Sequence, residues 1–265
     1  MGSPVNGAAI FAYHNFVEQP DTPAPTSQAY VLSQAQFDAH LDALAAPGLR
    51  ASRLADVLAV PAPGQFVLSF DDGYLTDYTV AFAKLAERGW PGCFFVIANQ
   101  VGQPRALGWR ELREMAAGGM EIGSHSLTHP FLHRADPDLI RREFGESKRI
   151  LEDGLGQAVH FASLPRGSAA PGMGALIKEL GYRAFCTSEP GLVSVRTDPY
   201  EVPRIAVKQR TTPMFLRQIC AGSRFTLATL QSFHAMKKVG KQLVGAERWR
   251  HIRGVLMEAA ERARV

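Results

Sequence analysis

The sequence is poor in cysteine. Its three residues, Cys93, Cys186 and Cys220, are scattered and odd in number. That excludes a disulfide framework and leaves no pair with structural-zinc spacing; they read as buried thiols in a reducing compartment. No apolar run of about 18 residues occurs, so no helical membrane span is expected. The start, MGSPVNGAAIFAYH, is too short and too polar for a signal peptide. The expectation is a soluble, cytoplasmic protein. Neither G-x-G-x-x-G nor G-x-x-x-x-G-K-[ST] is present, which removes the usual support for a nucleotide-binding sheet, and the lack of H-E-x-x-H disfavours a zincin protease.

Acidic excess is missing too, and the basic excess is local. The net charge is +4, yet residues 237–265 hold eight basic and three acidic residues, and the other 236 hold 21 basic and 22 acidic. The basicity therefore belongs to the C-terminal tail. A solvated helix face is the ordinary reading of such a run, and no nucleic-acid partner is expected. The tail also suits peripheral contact with an anionic membrane at its inner face.

Apolar residues make up 46% of the 265-residue chain, enough for one sizeable core. Short apolar strands are expected at 8–13, 66–70, 93–97, 121–124, 159–164, 183–188 and 201–207. Between them lie helical stretches at 33–46 (Ser33 as N-cap), 76–89 (stopped by Gly89), 109–119, 136–153 (Asp136 as N-cap, Pro137 at the first position), around 173–182, and 213–222. Such alternation means a parallel sheet, and six or seven units in one domain favour a closed barrel. The expected architecture is α/β, a (β/α) barrel over 1–225 followed by a basic amphipathic helical tail over 226–265. In the tail, Leu227, Leu230, Phe233 and Met236 form one stripe, and Ile252, Val255, Leu256 and Ala259 a second.

In a parallel barrel the residues just past the carboxyl ends of the strands line the active site. Here FVLSF is followed by Asp71, Asp72 and Gly73, EIGS by HSLTH with His125 and His129, and HFASL by Pro165, Arg166 and Gly167. A lone Asp-Asp-Gly is ordinarily a turn, and a lone H-x-x-x-H is often two surface residues. Together at one rim they make a candidate metal site. Two imidazoles and one carboxylate leave an open position on zinc. One Asp then binds the ion while its neighbour takes a proton from water.

SFDDG followed about fifty residues later by HSLTH resembles the polysaccharide deacetylase family, the NodB-homology or carbohydrate esterase family 4 group, over roughly residues 8–210. The resemblance implies a distorted (β/α) barrel that removes acetyl groups from N-acetylated amino sugars with a divalent metal, zinc being the expected ion. It implies Asp71 as general base, Asp72, His125 and His129 as metal ligands, and Ser126 and Thr128 as residues that orient their loop. The family's Arg-x-Pro-Tyr-Gly motif is matched by SLPRG. Ser163 stands where an arginine braces the base, and Arg166 stands where the tyrosine is. Arg166 is then expected to serve the oxyanion through its backbone or substrate through its side chain, with Pro165, Gly167 and Tyr74 beside substrate and Trp109 and Phe131 as further pocket aromatics. The late histidine that protonates the leaving amine has no counterpart after 201–207. His234 falls on an apolar helix stripe, His133 lies too far along its loop to be a ligand, and His14 reads as a structural hydrogen-bonding residue, the alternative being a place at the rim after the first strand. The substrate expected is a saccharide precursor, lipid-linked or a small glycoside. Alternatives are a non-catalytic carbohydrate-binding relative and a hydrolase of non-sugar amides on the same barrel.

Overall fold

The computed structural model describes residues 5–17 and 27–244; the proline-rich stretch 18–26 and the second tail stripe at 252–259 lie outside them. Its strands are β1 (Ala9–Tyr13), β2 (Asn15–Val17), β3 (Val31–Ser33), β4 (Arg50–Ala51), β5 (Gln65–Asp72), β6 (Cys93–Val96), β7 (Glu121–Ser124), β8 (Phe161–Ser163), β9 (Ala184–Cys186) and β10 (Ile205–Ala206). Its α-helices are α1 (Gln34–Leu44), α2 (Leu54–Ala59), α3 (Ala83–Arg88), α4 (Trp109–Ala117), α5 (Pro137–Leu155), α6 (Met173–Glu179), α7 (Pro213–Cys220) and α8 (Arg224–Val244). Apart from β2 and β3, which pair separately, the strands form one curled parallel sheet in the order β10-β1-β5-β6-β7-β8-β9, with β4 beside β5. The segment before β10 closes the curl: Val202 pairs with Cys186 of β9, and Val202 N–H donates to the Phe185 carbonyl at 3.0 Å. This is the distorted (β/α) barrel that the strand–helix alternation implies.

Two differences from the expected elements matter. Strand β5 runs through Asp71 and Asp72 rather than stopping at Phe70. The helix expected over 76–89 opens as a π-helix, Asp77–Phe82, before α3. The caps are as read: Ser33 forms a capping box with Gln36, Asp136 accepts from Leu139 N–H with Pro137 in the first turn, and Gly89 closes α3 in the left-handed region.

The period-two alternation of strands sorts the buried residues into two cores. Phe11, Tyr13, Phe66, Leu68, Phe70, Phe94 and Ile122 pack outward, under helix residues such as Phe37, Leu112, Phe144 and Ile177. Ala8, Ile10, Val67, Cys93, Phe95, Phe161, Ala184 and Cys186 fill the barrel interior. Both strand faces are therefore covered, which explains why β5 reads as a continuous apolar run. One step further along each strand, the same alternation sends His14, Asp71, His125 and Ser163 inward at the carboxyl end. The interior core thus gives way to a polar rim.

Candidate active site

Asp71 is 3% exposed. Left alone in that position, a carboxylate resists ionisation. Arg204, just before β10, answers it with a bidentate pair: Nη1 donates to Oδ1 at 2.7 Å and Nη2 to Oδ2 at 2.9 Å. Burial pushes the Asp71 carboxyl up, but the Arg204 guanidinium, helped by His125, outweighs it and holds the group well below the usual carboxylate range. Arg204 is itself 2% exposed, donates from Nε to the Thr187 carbonyl at 3.1 Å, and lies 5.2 Å from the centre of the Phe95 ring. The brace that Ser163 appeared to have removed is thus supplied from a different strand. This arginine was missed by sequence reasoning.

Ser163 has another task. Its Oγ meets His125 Nδ1 at 2.5 Å, which leaves Nε2 turned toward Asp72, 3.6 Å from Oδ1. His129 Nε2 is 3.4 Å from the same oxygen. Donor atoms of Asp72, His125 and His129 lie within 4.8 Å of one another. Asp72 Oδ1 is buried and has no hydrogen-bond partner. Burial, and next the charge of Asp71, push the Asp72 carboxyl up to about 7. Burial lowers His125 to about 3 and, with Arg166 second, His129 to about 4, so both imidazoles are neutral at physiological pH. Two neutral imidazoles converging on an orphaned carboxylate oxygen fit a divalent cation.

The loop that carries these ligands is tightly held. Glu143 of α5, 1% exposed, accepts from Leu127 N–H at 3.0 Å and Thr128 N–H at 2.8 Å, and its other oxygen accepts the Thr128 hydroxyl at 2.8 Å. Ser126 Oγ accepts His129 N–H at 2.9 Å. Asp72, Ser126 and His129 all have left-handed backbones, at φ 81°, 68° and 60°. Such strain persists only where surrounding contacts over-determine it, and it gathers at functional sites. Ser126 and Thr128 therefore orient the loop, and Glu143 joins them.

His14 takes the rim position after β1. Its Nδ1 is buried without a hydrogen-bond partner. The β1–β5 register sets Tyr13 beside Phe70, so His14 stands level with Asp71. Burial lowers its pKa, and the Asp71 charge draws it partly back. A cavity of about 290 Å³ opens over Asp72 and His129, walled by Tyr74, Thr128, Arg105 and Arg166. Pro165 and Gly167 are not among its walls: Pro165 is buried, and Gly167 backs onto Ser188. Trp109 packs against Gly154 instead, and Phe131 lies on the surface beneath Arg166. His234 on α8 pairs with Glu189 at 3.2 Å.

Residues 60–185 match the family model described as polysaccharide deacetylase. That segment, which carries both acids and both imidazoles of the site, is similar to the polysaccharide deacetylase family. Among curated relatives, YxkH of Bacillus subtilis (strain 168), a protein assigned as a polysaccharide deacetylase, is 28% identical over 56% of this chain and 53% of its own length. A chitooligosaccharide deacetylase of Bradyrhizobium sp. (strain ANU 289) is 33% identical over 39% of this chain and 44% of its own. The chain thus spans about half the length of the curated relatives it matches. Among solved structures, IcaB from Ammonifex degensii is 26% identical with a TM-score of 0.70, over 83% of this chain and 98% of that one. The Streptococcus pyogenes deacetylase PplD, solved in complex with acetate, shares the fold at 23% identity and a TM-score of 0.72, over 83% of this chain and 100% of that one.

Proposed function

We propose that this barrel is a metal-dependent hydrolase that removes the acetyl group from an N-acetylated amino sugar, a saccharide precursor that is lipid-linked or a small glycoside. The observation that carries the reading is the division of labour between two adjacent acids. Asp72 presents an unpartnered oxygen to His125 and His129, and Asp71 is kept ionised beside it by Arg204.

Asp72, His125 and His129 would hold the cation, with zinc the expected ion. Bound there, it supplies Lewis-acid polarisation of an acetyl carbonyl oxygen and of a nearby water. Asp71 takes the proton of the attacking water, and Arg204 fixes the carboxylate's direction while keeping it charged. Arg166 lines the cavity, and its backbone N–H would serve the oxyanion. His14, level with Asp71, would relay the proton that Asp71 has taken to the departing amine as the C–N bond breaks, so acetate and a free amino sugar leave. With His14 in that role, the missing late histidine no longer favours a non-catalytic relative.

The test is metal content and acetate release on purified protein. Wild type should carry about one ion per chain and release acetate from N-acetylated sugars. His129→Ala should lose the ion, and Asp71→Asn should keep the ion and lose turnover. Wild-type protein that takes up no metal even when zinc is supplied ends this reading.

We also propose peripheral contact with the inner membrane face through α8. Its Leu227 and Leu230 pack on the barrel, while Phe225 (83% exposed), Phe233 (63%) and Met236 (64%) face solvent. Residues 224–244 contain four basic residues and no acidic one, a composition that complements anionic lipid. Co-sedimentation with phosphatidylglycerol vesicles, absent with phosphatidylcholine vesicles, is expected; equal recovery with both ends the idea.

A further inference from the structure

Two arginines wall the cavity over the candidate metal site, and neither has a carboxylate partner among the described residues. Arg166 follows β8. Its Nε donates to the His129 carbonyl at 3.0 Å, and its guanidinium sits 4.3 Å from the centre of the Phe131 ring. Those contacts hold the side chain while leaving both terminal nitrogens free to donate. Arg105 lines the same cavity from the segment after β6. Its carbonyl accepts Leu75 N–H at 2.8 Å, and the next residue, Ala106, bridges to Tyr74. The segment is therefore pinned over the end of β5.

Both arginines have left-handed backbones, φ 68° at Arg105 and 56° at Arg166. A side chain with a Cβ adopts that region at a cost, and neither turn has been relieved by glycine. The charge inventory is equally one-sided. The carboxylate lining the cavity is Asp72, which the cation occupies in the proposed reading; neighbouring Asp71 is paired with Arg204. What remains along the cavity is two exposed arginines beside a divalent-cation site. A neutral acetamido sugar has no charge to offer them. A phosphoryl or carboxylate group does, in the planar, forked geometry that guanidinium matches best.

We propose that the amino sugar accepted here carries a phosphoryl substituent, and that Arg105 and Arg166, which both line the cavity, bind it. This rests on the deacetylase reading and sharpens its substrate class. A phosphoryl group arrives equally on a soluble sugar phosphate or as the linkage of a lipid-borne sugar, so the test separates the two.

Acetate release by metal-loaded wild type is measured on methyl N-acetylglucosaminide, on N-acetylglucosamine 1-phosphate, and on a polyprenyl-diphosphate-linked N-acetylglucosamine in detergent. Binding of the deacetylated counterparts, methyl glucosaminide and glucosamine 1-phosphate, is measured in parallel by calorimetry. The expected result is a preference in kcat/KM for a phosphorylated substrate of about thirtyfold or more, shrinking as salt is raised. Arg105→Gln and Arg166→Gln should each cut that preference about tenfold, the loss of one charge-assisted contact. The faster phosphorylated arm identifies the source of the group. Equal kcat/KM on neutral and phosphorylated sugars overturns the inference and leaves the deacetylase reading standing. So does a preference that survives both substitutions, because the cation alone then attracts the phosphate. If no sugar releases acetate, the deacetylase reading fails, and calorimetry still decides. Tighter binding of glucosamine 1-phosphate that is lost in Arg105→Gln upholds the anion site, and equal binding of the two products refutes it.

Discussion

Replacing Arg204 with methionine tests the electrostatic logic of the site at its most exacting point. The substitution keeps an unbranched apolar side chain and removes the guanidinium that lies over Phe95, so Asp71 is left buried with neither of its two close donors. It also strands the Thr187 carbonyl that Nε reaches at 3.1 Å. Breaking a buried pair by deleting one partner costs about 3–5 kcal/mol, which for a domain of this size lowers Tm by roughly 10 °C. The pH dependence has a definite sign. In wild type the Asp71 pKa is held below its unfolded value, so the pair's contribution is present at neutral pH and is lost only as pH falls through that depressed folded value. In the variant, burial outweighs the remaining attraction from His125 and His14, and the folded pKa rises above the unfolded one. The variant is then penalised at neutral pH and recovers as acid protonates Asp71. The gap in Tm between the two proteins should therefore be widest near pH 8 and narrow toward pH 4, and the acid limb of the variant's pH–activity profile should move upward. Thermal melts and rate profiles across that range are the assay. Combining Arg204→Met with Asp71→Asn should show coupling of about 2 kcal/mol or more. Additive effects, or a Tm gap that does not change with pH, would refute the argument that Arg204 is the counter-charge of the base.

Three further predictions concern the surrounding groups. Ser163→Ala removes the partner of His125 Nδ1 and should weaken zinc affinity about 10–100-fold, measured by chelator competition, with little change in fold. Glu143→Ala leaves the Leu127 and Thr128 N–H groups without an acceptor; a stability loss of about 2–3 kcal/mol is expected in denaturant melts, together with weaker metal retention. His14→Asn should lower kcat by about 10²–10⁴-fold while the bound metal stays at wild-type level; an unchanged kcat removes His14 from proton transfer.

The barrel was legible because its signals are local. Apolar runs such as CFFV, the capping residues Ser33 and Asp136, and the stop at Gly89 each act within a few residues. The rim rule for parallel barrels then gathered Asp71, Asp72, His125 and His129 without any knowledge of their contacts. The rim placing of His14 and the missed Glu143 were within reach of the same periodicities. Counting inward positions along β1 from Ile10 through Ala12 reaches His14, on the same face as Asp71. Glu143 lies three residues after Ile140 and four before Ser147, on the buried face of α5, and a charge in that stripe demands buried donors to satisfy it.

Arg204 could not be found in this way, and the reason is physical. It reaches Asp71 across 133 residues of sequence, and only closure of the curl through Val202 and β10 brings it into the interior. A motif read along the chain treats Ser163 in place of arginine as a loss of function at that position. The demand itself belongs to the buried carboxylate, and it is indifferent to which strand supplies the positive charge. Every strand of a barrel delivers one inward residue to the same rim, so the counter-charge can migrate from β8 to the β10 edge while the pair it forms stays the same. The position it vacated is then free for a hydroxyl that steers His125. What is conserved by the physics of such a site is the balance of charge at its centre, and that balance constrains which substitutions the rim tolerates more tightly than the order of residues along the sequence.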